Sequence, residues 1–513
     1  MTDCSTKIEL EQLRLSFTKK LPDYYFLKNV APYAKKEETF INSYGILPVG
    51  LWLELVQVCK KHGIPVQFED NFNCKIKNCS LSYEEFGNYV ADLFKESDMT
   101  PMGYQLEGIY NILQYHNCCV EVSTSGGKTL MTYILFKYMR DIMKFQHILY
   151  VTPATNLTTQ SADKFEQYDF RNMKEPDWTV AEIYMKAKKK DKYDENIIFG
   201  NYQSLCKKPQ GFFDMFDVVI IDECHHSKAT SIKNILRKCR NCKYKIGLTG
   251  TFPAEGTYDN YVIQSFLGPV VYRMSSFDLI NRENFATPVY VSSINLKYLP
   301  EETKNALFRM RQEKDKDDPQ AGAKLLISEK EVMRDNPVRF NYICGMIKKT
   351  TKNTLVIFSD IKTGYGRKVY QYIKETSDKI VFYIDGETKS STREEMKAVM
   401  EEDLTGNTII VASMGCFTEG IDIANVWNIF LIETTKSEIT LAQLLGRGMR
   451  RFEGKDRTIM IDFVDDYRVP SSRGYRNENY LYKHGVARRE IYKKRGFPLS
   501  IVEVDLINNQ KLF

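Results

Sequence analysis

The chain has 513 residues, 43% of them hydrophobic and 27% charged, with a formal net charge of +6. That length has room for about three domains, and so mild a charge means that a nucleic-acid partner must be held by local patches. No apolar run approaches the ~18 residues of a membrane span, and the N-terminus lacks the charged-then-apolar plan of a secretory signal, so a soluble, cytoplasmic chain is expected.

Residues 1–95 read as a small α/β domain, with strands over 24–27 and 64–68 and helices over 49–62 and 81–94. From 96 to 284, strands around Val120 and over 148–152, 197–200, 218–221 and 246–249 alternate with helical patterns. The alternation recurs from 285 to 466, with strands over 354–358, 380–384, 408–412, 429–432 and 458–462. Such alternation marks parallel sheets with helical crossovers. The expected fold class is therefore α/β: two parallel-sheet lobes between a small N-terminal domain and a helical C-terminal tail over 467–513.

Several other segments are read more simply. The charged stretch from Gln312 to Pro319 is an exposed turn, and the lysines from Lys186 to Lys190 suit a solvated loop more than a contact with a nucleic-acid backbone. The tail mixes Tyr480, Tyr482, Lys483, Arg488, Arg489, Tyr492, Lys493, Lys494 and Arg495. That mixture suits duplex or branched DNA, and equally a helical cap packed on the second lobe. The 12 cysteines are scattered, as reduced thiols would be. Cys239 and Cys242 have metal-ligand spacing, but no second pair of that spacing completes a zinc set.

Three strings carry chemistry. In Ser123-Thr-Ser-Gly-Gly-Lys-Thr129, small residues end an apolar approach and open a helix-like run over 130–139. Ser125, Gly126 and Gly127 let backbone N–H groups converge on phosphate oxygens at a helix N-terminus. Lys128 would reach the β- and γ-phosphates, and the Thr129 hydroxyl would ligate Mg²⁺. In the second string, Asp222 and Glu223 follow the apolar run Val218-Val-Ile-Ile221, the mark of a strand buried on both faces. Asp222 is placed to hold Mg²⁺ and Glu223 to polarise the attacking water. In Gln443-Leu-Leu-Gly-Arg-Gly-Met-Arg450, the helical spacing puts Arg447 and Arg450 on one face. Both could then address one γ-phosphate, with Gln443 a turn earlier reaching the same phosphate or the water.

This set, in this order, resembles the superfamily-2 helicases. Tyr104-Gln105 looks like the adenine-reading motif, and Met102 stands where many relatives carry an adenine-stacking arginine. Val151-Thr-Pro-Ala-Thr155 and Asn201-Tyr-Gln-Ser204 are similar to the strand-tracking motifs of the first motor domain. Leu248-Thr-Gly-Thr251 resembles the motif that links hydrolysis to domain movement. Val356-Ile-Phe-Ser359 and the stretch from Ser413 to Glu419-Gly-Ile-Asp422 resemble second-domain counterparts. The 45–61 stretch and Tyr480-Leu-Tyr-Lys-His-Gly485 look like the terminal regions of a phage recombination helicase.

The resemblance implies two RecA-like lobes with ATP and Mg²⁺ between them, and contacts from Gln105, Gly420 and Asp422 to the nucleotide. It implies that Thr155, Tyr202, Gln203, Ser359, Ser413 and Thr418 touch a nucleic-acid backbone. The implied partners are single-stranded and branched DNA, RNA–DNA hybrid, and recombination or single-strand-binding proteins. The implied location is the host cytoplasm where the source is a phage. The implied activity is ATP-driven remodelling of branched DNA; an RNA helicase or a duplex-DNA translocase of a restriction or repair system is the alternative.

Overall fold

The structure, a computed structural model, describes residues 12–14, 46–61, 78, 80–172, 178–184, 193–227, 229–283, 285–312, 320–416, 423–471, 474–476 and 478–507. The expected strands over 24–27 and 64–68, the lysine run after residue 185 and most of the charged turn before Pro319 lie outside the described residues. The chain divides into two compact units, Met1–Met274 and Ser275–Phe513.

In the first unit, β1 (Gln12–Arg14) pairs antiparallel with β2 (Ile46–Pro48). Then come α1 (Trp52–Lys61), α2 (Tyr83–Leu93) and α3 (Gly103–Gln114), which leads into β3 (Asn117–Val122). Alternation follows: α4 (Lys128–Asp141), β4 (Ile148–Thr152), α5 (Thr155–Asn172), β5 (Val180–Ile183), β6 (Ile197–Asn201), β7 (Val218–Ile221), α6 (Thr230–Lys238), β8 (Tyr244–Thr249), α7 (Tyr258–Leu267) and β9 (Val270–Met274). The seven strands pair in the order β5-β6-β4-β7-β8-β3-β9, every neighbouring pair parallel. Every residue of β4, β6, β7 and β8 is buried. Burying each Val, Ile or Leu there stabilises by about 1.5–3 kcal/mol.

The second unit repeats the plan. Its elements are β10 (Val289–Lys297), α8 (Glu301–Gln312), α9 (Ala321–Asp335), α10 (Pro337–Lys348), β11 (Thr354–Phe358), α11 (Tyr365–Thr376), β12 (Ile380–Ile384), α12 (Ser390–Glu402), β13 (Thr408–Ser413), β14 (Asn428–Leu431), α13 (Glu438–Gly448) and β15 (Thr458–Asp465). A small ribbon of β16 (Val469–Ser471) and β17 (Gly474–Arg476) leads to α14 (Tyr480–Lys494) and β18 (Leu499–Asp505). The parallel sheet runs β12-β13-β11-β14-β15-β10-β18. In both sheets the third strand of the lobe stands at one edge, and the first strand lies beside the last at the other. Two RecA-like lobes with one topology are the result.

The tail is part of the second sheet's architecture. Strand β18 completes that sheet beside β10, and α14 lies on β15, close enough that a Cβ on Gly485 would meet Val464 at 2.4 Å. Arg488, fully buried, donates to both carboxylate oxygens of Asp462 and to Thr434 Oγ1. The Tyr492 hydroxyl donates to the same carboxylate at 3.1 Å, and Arg489 donates to Ser293 and Asn295 on β10. Of the two readings of the basic-aromatic tail, Arg488, Arg489 and Tyr492 follow the packed cap, whereas Lys483, Lys493 and Lys494 stay exposed. No described helix is long and apolar enough to cross a membrane.

Breaking a buried ion pair strands its partner charge, at a cost of about 3–5 kcal/mol. Arg488→Ala is therefore expected to lower the stability of the second unit by that amount, measured by urea unfolding; a loss below ~1 kcal/mol would show that Asp462 finds other partners.

Candidate functional site

At the C-terminal end of β3 the chain turns tightly. Ser123 N donates to Met274 O at 3.0 Å, and Gly126 N to Ser123 O at 3.0 Å. Ser125 (φ 70°) and Gly127 (φ 72°) both take left-handed backbone before α4 starts at Lys128. Several N–H groups are thereby gathered at the N-terminus of a 14-residue helix, where the dipole favours anions. The loop is braced from α3: the Tyr104 hydroxyl and Gln105 Nε2 donate to Gly126 O at 3.0 and 3.3 Å, while Gln105 Oε1 accepts from Met102 N at 2.9 Å. Gln105 is 1% exposed, and the bracing is what its amide does in this structure. A Cβ on Gly127 would come within 2.3 Å of Gln105 Nε2, so position 127 needs glycine for space as well as for its φ. Lys128 Nζ donates to Val122 O at 3.1 Å.

Two strands away, β7 delivers Asp222 and Glu223 to the same sheet edge. Asp222 Oδ1 accepts from Glu223 N at 2.9 Å, and Glu223 itself has φ 47°, a strained position for a non-glycine residue (about 1–3 kcal/mol). That strain is held in place by a small network. Thr249 Oγ1 donates to Glu223 Oε2 at 3.1 Å, and His225 Nδ1 lies 2.9 Å from Thr249 Oγ1 and 3.2 Å from Glu223 Oε2. Thr251 N donates to Thr249 Oγ1 at 3.1 Å. With its hydrogen on Nδ1, His225 satisfies this set, and the 248–251 string is tied directly to Glu223.

Electrostatics separates the two carboxylates. Burial resists ionisation of both, but Lys128 and the bonds from His225 and Thr249 hold Glu223 well below the usual carboxylate range. Asp222 moves the other way, raised by burial and then by the charge on Glu223. The Tyr150 hydroxyl, on neighbouring β4, hydrogen-bonds Asp222 and is itself raised by burial and by that carboxylate. A carboxylate crowded by another anion, with the Thr129 hydroxyl at the start of α4, is an oxygen set that fits Mg²⁺. Among the described residues no group of three or more His, Cys, Asp or Glu could hold a metal.

In the second unit, Ser437 caps α13 by accepting from Thr440 N at 3.2 Å. Gln443 and Arg447 lie a turn apart on it. Arg450 stands just past the helix, which ends at Gly448 with Met449 as its cap, and Arg450 N donates to Arg447 O at 3.3 Å. The cause lies in the carbonyls beyond the last turn: Thr458 Oγ1 donates to Gly448 O at 2.7 Å, Thr287 N to Met449 O at 2.8 Å and Thr287 Oγ1 to Arg450 O at 3.0 Å. Those bonds take up the carbonyls that a further helical turn would use. Thr418, Gly420 and Asp422 lie outside the described residues.

The other strand-contact candidates gather at sheet edges. Thr155 opens α5 just past β4, and Tyr202 and Gln203 follow the adjacent β6. Asn201 Nδ2 donates to Thr155 Oγ1 at 2.8 Å and joins the two. In the second unit, Ser413 ends β13 and Ser359 follows its neighbour β11. Ser413 is buried at 2% exposure. Ser359 is held by Glu433, whose Oε2 accepts from Ser359 N at 2.6 Å, Ser359 Oγ at 3.1 Å and Asp360 N at 3.0 Å. Arg334 Nε donates to the other Glu433 oxygen at 2.7 Å. Sequence reading missed Glu433, Arg334 and Tyr150. Tyr150 had left one sign, a hydroxyl inside the otherwise apolar start of β4.

Residues 98–254 match the family model for the res subunit of type III restriction enzymes, and residues 338–452 match the helicase conserved C-terminal domain. The chain is a superfamily-2 helicase. It resembles the ATP-dependent DNA helicase uvsW of Enterobacteria phage T4, with 27% identity over 471 residues, 90% of this chain and 88% of that one. The fold also matches a fragment assigned to the HsdR subunit of a type I restriction enzyme from Vibrio vulnificus YJ016 (TM-score 0.55, 19% identity, 88% of this chain and 74% of that one). Dbp5 of S. cerevisiae bound to RNA and ADP BeF3 matches similarly (TM-score 0.54, 13% identity, 84% of this chain and 97% of that one). At such identities the two structures speak to the fold alone.

For this helicase the Gly127 geometry gives a direct test. Gly127→Ala forces Gln105 off the Gly126 carbonyl and strains φ, so ATP affinity should fall about tenfold or more, the equivalent of ~1.4 kcal/mol. Titration with a fluorescent ATP analogue measures it, and an unchanged affinity would mean that the loop adapts without cost.

Proposed function

We propose that this helicase uses ATP hydrolysis to remodel branched DNA, through branch migration, fork regression and unwinding of D-loops or R-loops. The observation that carries the reading is the extent of the likeness to uvsW. It covers 90% of the chain, whereas the two family models stop at residues 98–254 and 338–452. The likeness thus reaches past the motor core, where substrate choice would reside. The domain reading that goes with it is 1–95 for DNA engagement, 96–284 and 285–466 as motor lobes, and 467–513 as the tail.

In this mechanism Ser125 and Gly127 offer N–H groups to the triphosphate, while Gly126 N–H leaves the Ser123 carbonyl and Lys128 leaves the Val122 carbonyl to join them. Thr129 and Asp222 would hold Mg²⁺, which would supply neutralisation of phosphate charge. Glu223, ionised and fixed by Thr249 and His225, orients the attacking water and accepts its proton. Gln443, Arg447 and Arg450, from the other lobe, would bring positive charge and donors to the γ-phosphate, and Gly420 and Asp422 are the further nucleotide contacts that the family resemblance implies. Gln105 acts through the loop it braces. A ligand drives motion only by its differential affinity for two states; contacts from both lobes supply that difference. Thr155, Tyr202, Gln203, Ser359, Ser413 and Thr418 then track a backbone, so translocation is indifferent to sequence. Partners follow from the substrate: single-stranded and branched DNA, RNA–DNA hybrid, and recombination or single-strand-binding proteins.

A second reading is favoured by the restriction-type match over 98–254: a translocase that runs along duplex DNA without separating strands. Steady-state ATPase rates with single-stranded DNA, duplex, four-way junction and RNA separate the readings. Stimulation mainly by junctions or single strands supports remodelling. Stimulation by duplex alone supports the translocase, and preference for RNA overturns both. Within either reading, Glu223→Gln should retain ATP binding and lose turnover by about 10²-fold or more; near-normal turnover would remove Glu223 from its role.

A further inference from the structure

The turn after α13 is gripped by a lysine that none of the helicase-type motifs includes. Lys455 lies just before β15, where Gly454 (φ 74°) and the bond from Lys455 N to Phe452 O at 3.0 Å fold the chain back. Its Nζ donates to Gly448 O, Arg450 O and Ala424 O, each at 3.0 Å. Two of these carbonyls belong to the turn that carries Arg447 and Arg450. The third lies two residues past Asp422. Ala424 is held from its other side by Glu401 of α12, whose carboxylate accepts from Ala424 N at 2.5 Å and from Asn425 N at 3.1 Å.

The chemistry of this grip is specific to an ammonium. A protonated lysine has three N–H donors, and three carbonyls take all of them; the neutral amine has two. The C-terminal end of α13 favours a cation, and a lysine drawn out of water is retained there only because its donors are filled.

We infer that Lys455 is a positioning residue for hydrolysis, its ammonium clamping the Arg447–Arg450 turn to the Ala424 segment so that Arg450 meets the triphosphate in one orientation. The inference rests on the reading of Arg450 as the residue that stabilises transition-state charge. A lysine that merely plugged the end of a helix would stabilise the second unit and leave turnover alone. A clamp on the arginine turn acts on kcat, because a misplacement of about 1 Å in a charge-stabilising group costs about 10²-fold in rate.

Protonation supplies a readout independent of folding. Burial pushes the Lys455 amine down to about 7, with Glu401 acting to raise it and Arg450 to lower it. The third N–H is present below that value and lost as pH rises through it. Wild-type kcat should therefore fall on the alkaline side of neutrality. Lys455→Arg, which keeps its charge, should remove that falling limb and retain turnover.

The experiment measures kcat and KM for ATP across pH 6–9, with saturating DNA, for wild type, Lys455→Arg, Lys455→Met, Arg450→Ala and the Lys455→Met/Arg450→Ala double variant. Lys455→Met is expected to lower kcat about 10²-fold with KM little changed, and to add nothing in the Arg450→Ala background. If Arg450→Ala abolishes turnover while Lys455→Met keeps the wild-type rate, the clamp is overturned and the arginine reading stands. If Arg450→Ala itself turns over normally, the arginine reading fails and takes the clamp with it. Should Lys455→Met not fold, the pH profiles decide: identical alkaline limbs in wild type and Lys455→Arg overturn the clamp.

Discussion

The constraint on which the first unit depends is the pair of adjacent carboxylates at the end of β7. Asp222 and Glu223 cannot both be ionised in a recessed site without compensation. The surrounding residues supply it unequally. Lys128 faces both, Thr249 and His225 attend to Glu223, and Tyr150 attends to Asp222. The sheet makes this economical: β4, β7, β8 and β3 are consecutive neighbours, so their C-terminal ends bring all of these residues to one edge. That is where open α/β sheets bind ligands. The strained φ of Glu223 and the left-handed turn at Gly127 are tolerated because β7 and β3, which lead into them, sit deep in the sheet.

What could be read from the sequence followed burial. The strands at 148–152, 197–200, 218–221, 354–358 and 408–412 are continuous apolar runs, and the structure buries them on both faces. Strands β5, β9 and β18 escaped notice because edge strands need no such run: four of the seven residues of β18 are exposed, and only Met274 of β9 is buried. The candidate phosphate-binding string at 123–129 was legible because such a loop demands small residues in order. The bracing set was not, since Tyr150, Glu433 and Lys455 act through distances that only folding creates. The spacing of Arg447 and Arg450 reads as one helix, whereas α13 ends at Gly448, where distant Thr458 and Thr287 take the Gly448 and Arg450 carbonyls.

One topology serves the two lobes with different chemistry at the same edge. In the first, the leading strand β3 ends in a glycine-rich turn and a long helix; in the second, the corresponding strand β10 ends at Lys297 and is followed by Glu301 of α8, with no such turn. What the second lobe offers at its strand ends are serines, a buried glutamate and arginines. Glu433 follows β14 as Glu223 follows β7, yet it is spent on Ser359, Asp360 and Arg334. The duplicated sheet is a common mount, and the residues one step past each strand decide whether a lobe grips phosphate or presents charge.

The second unit invests unusually in buried ion pairs. Arg339 pairs with Asp465 at 2.6 Å, Arg488 with Asp462 at 2.7 Å and Arg311 with Glu329 at 2.9 Å. Pairs of this kind contribute little net stability compared with an apolar core of equal volume, so bulk stabilisation does not account for them. Their geometry does. Asp462 and Asp465 both lie on β15, and α14, anchored there by Arg488, ends at Lys494; its cap Arg495 donates to Glu438 in the first turn of α13 at 3.2 Å. Hydrophobic packing is non-directional and would let these helices slide. Charged hydrogen bonds do not: Arg495 holds the first turn of α13, and the Lys455 ammonium holds the Gly448 carbonyl at its other end.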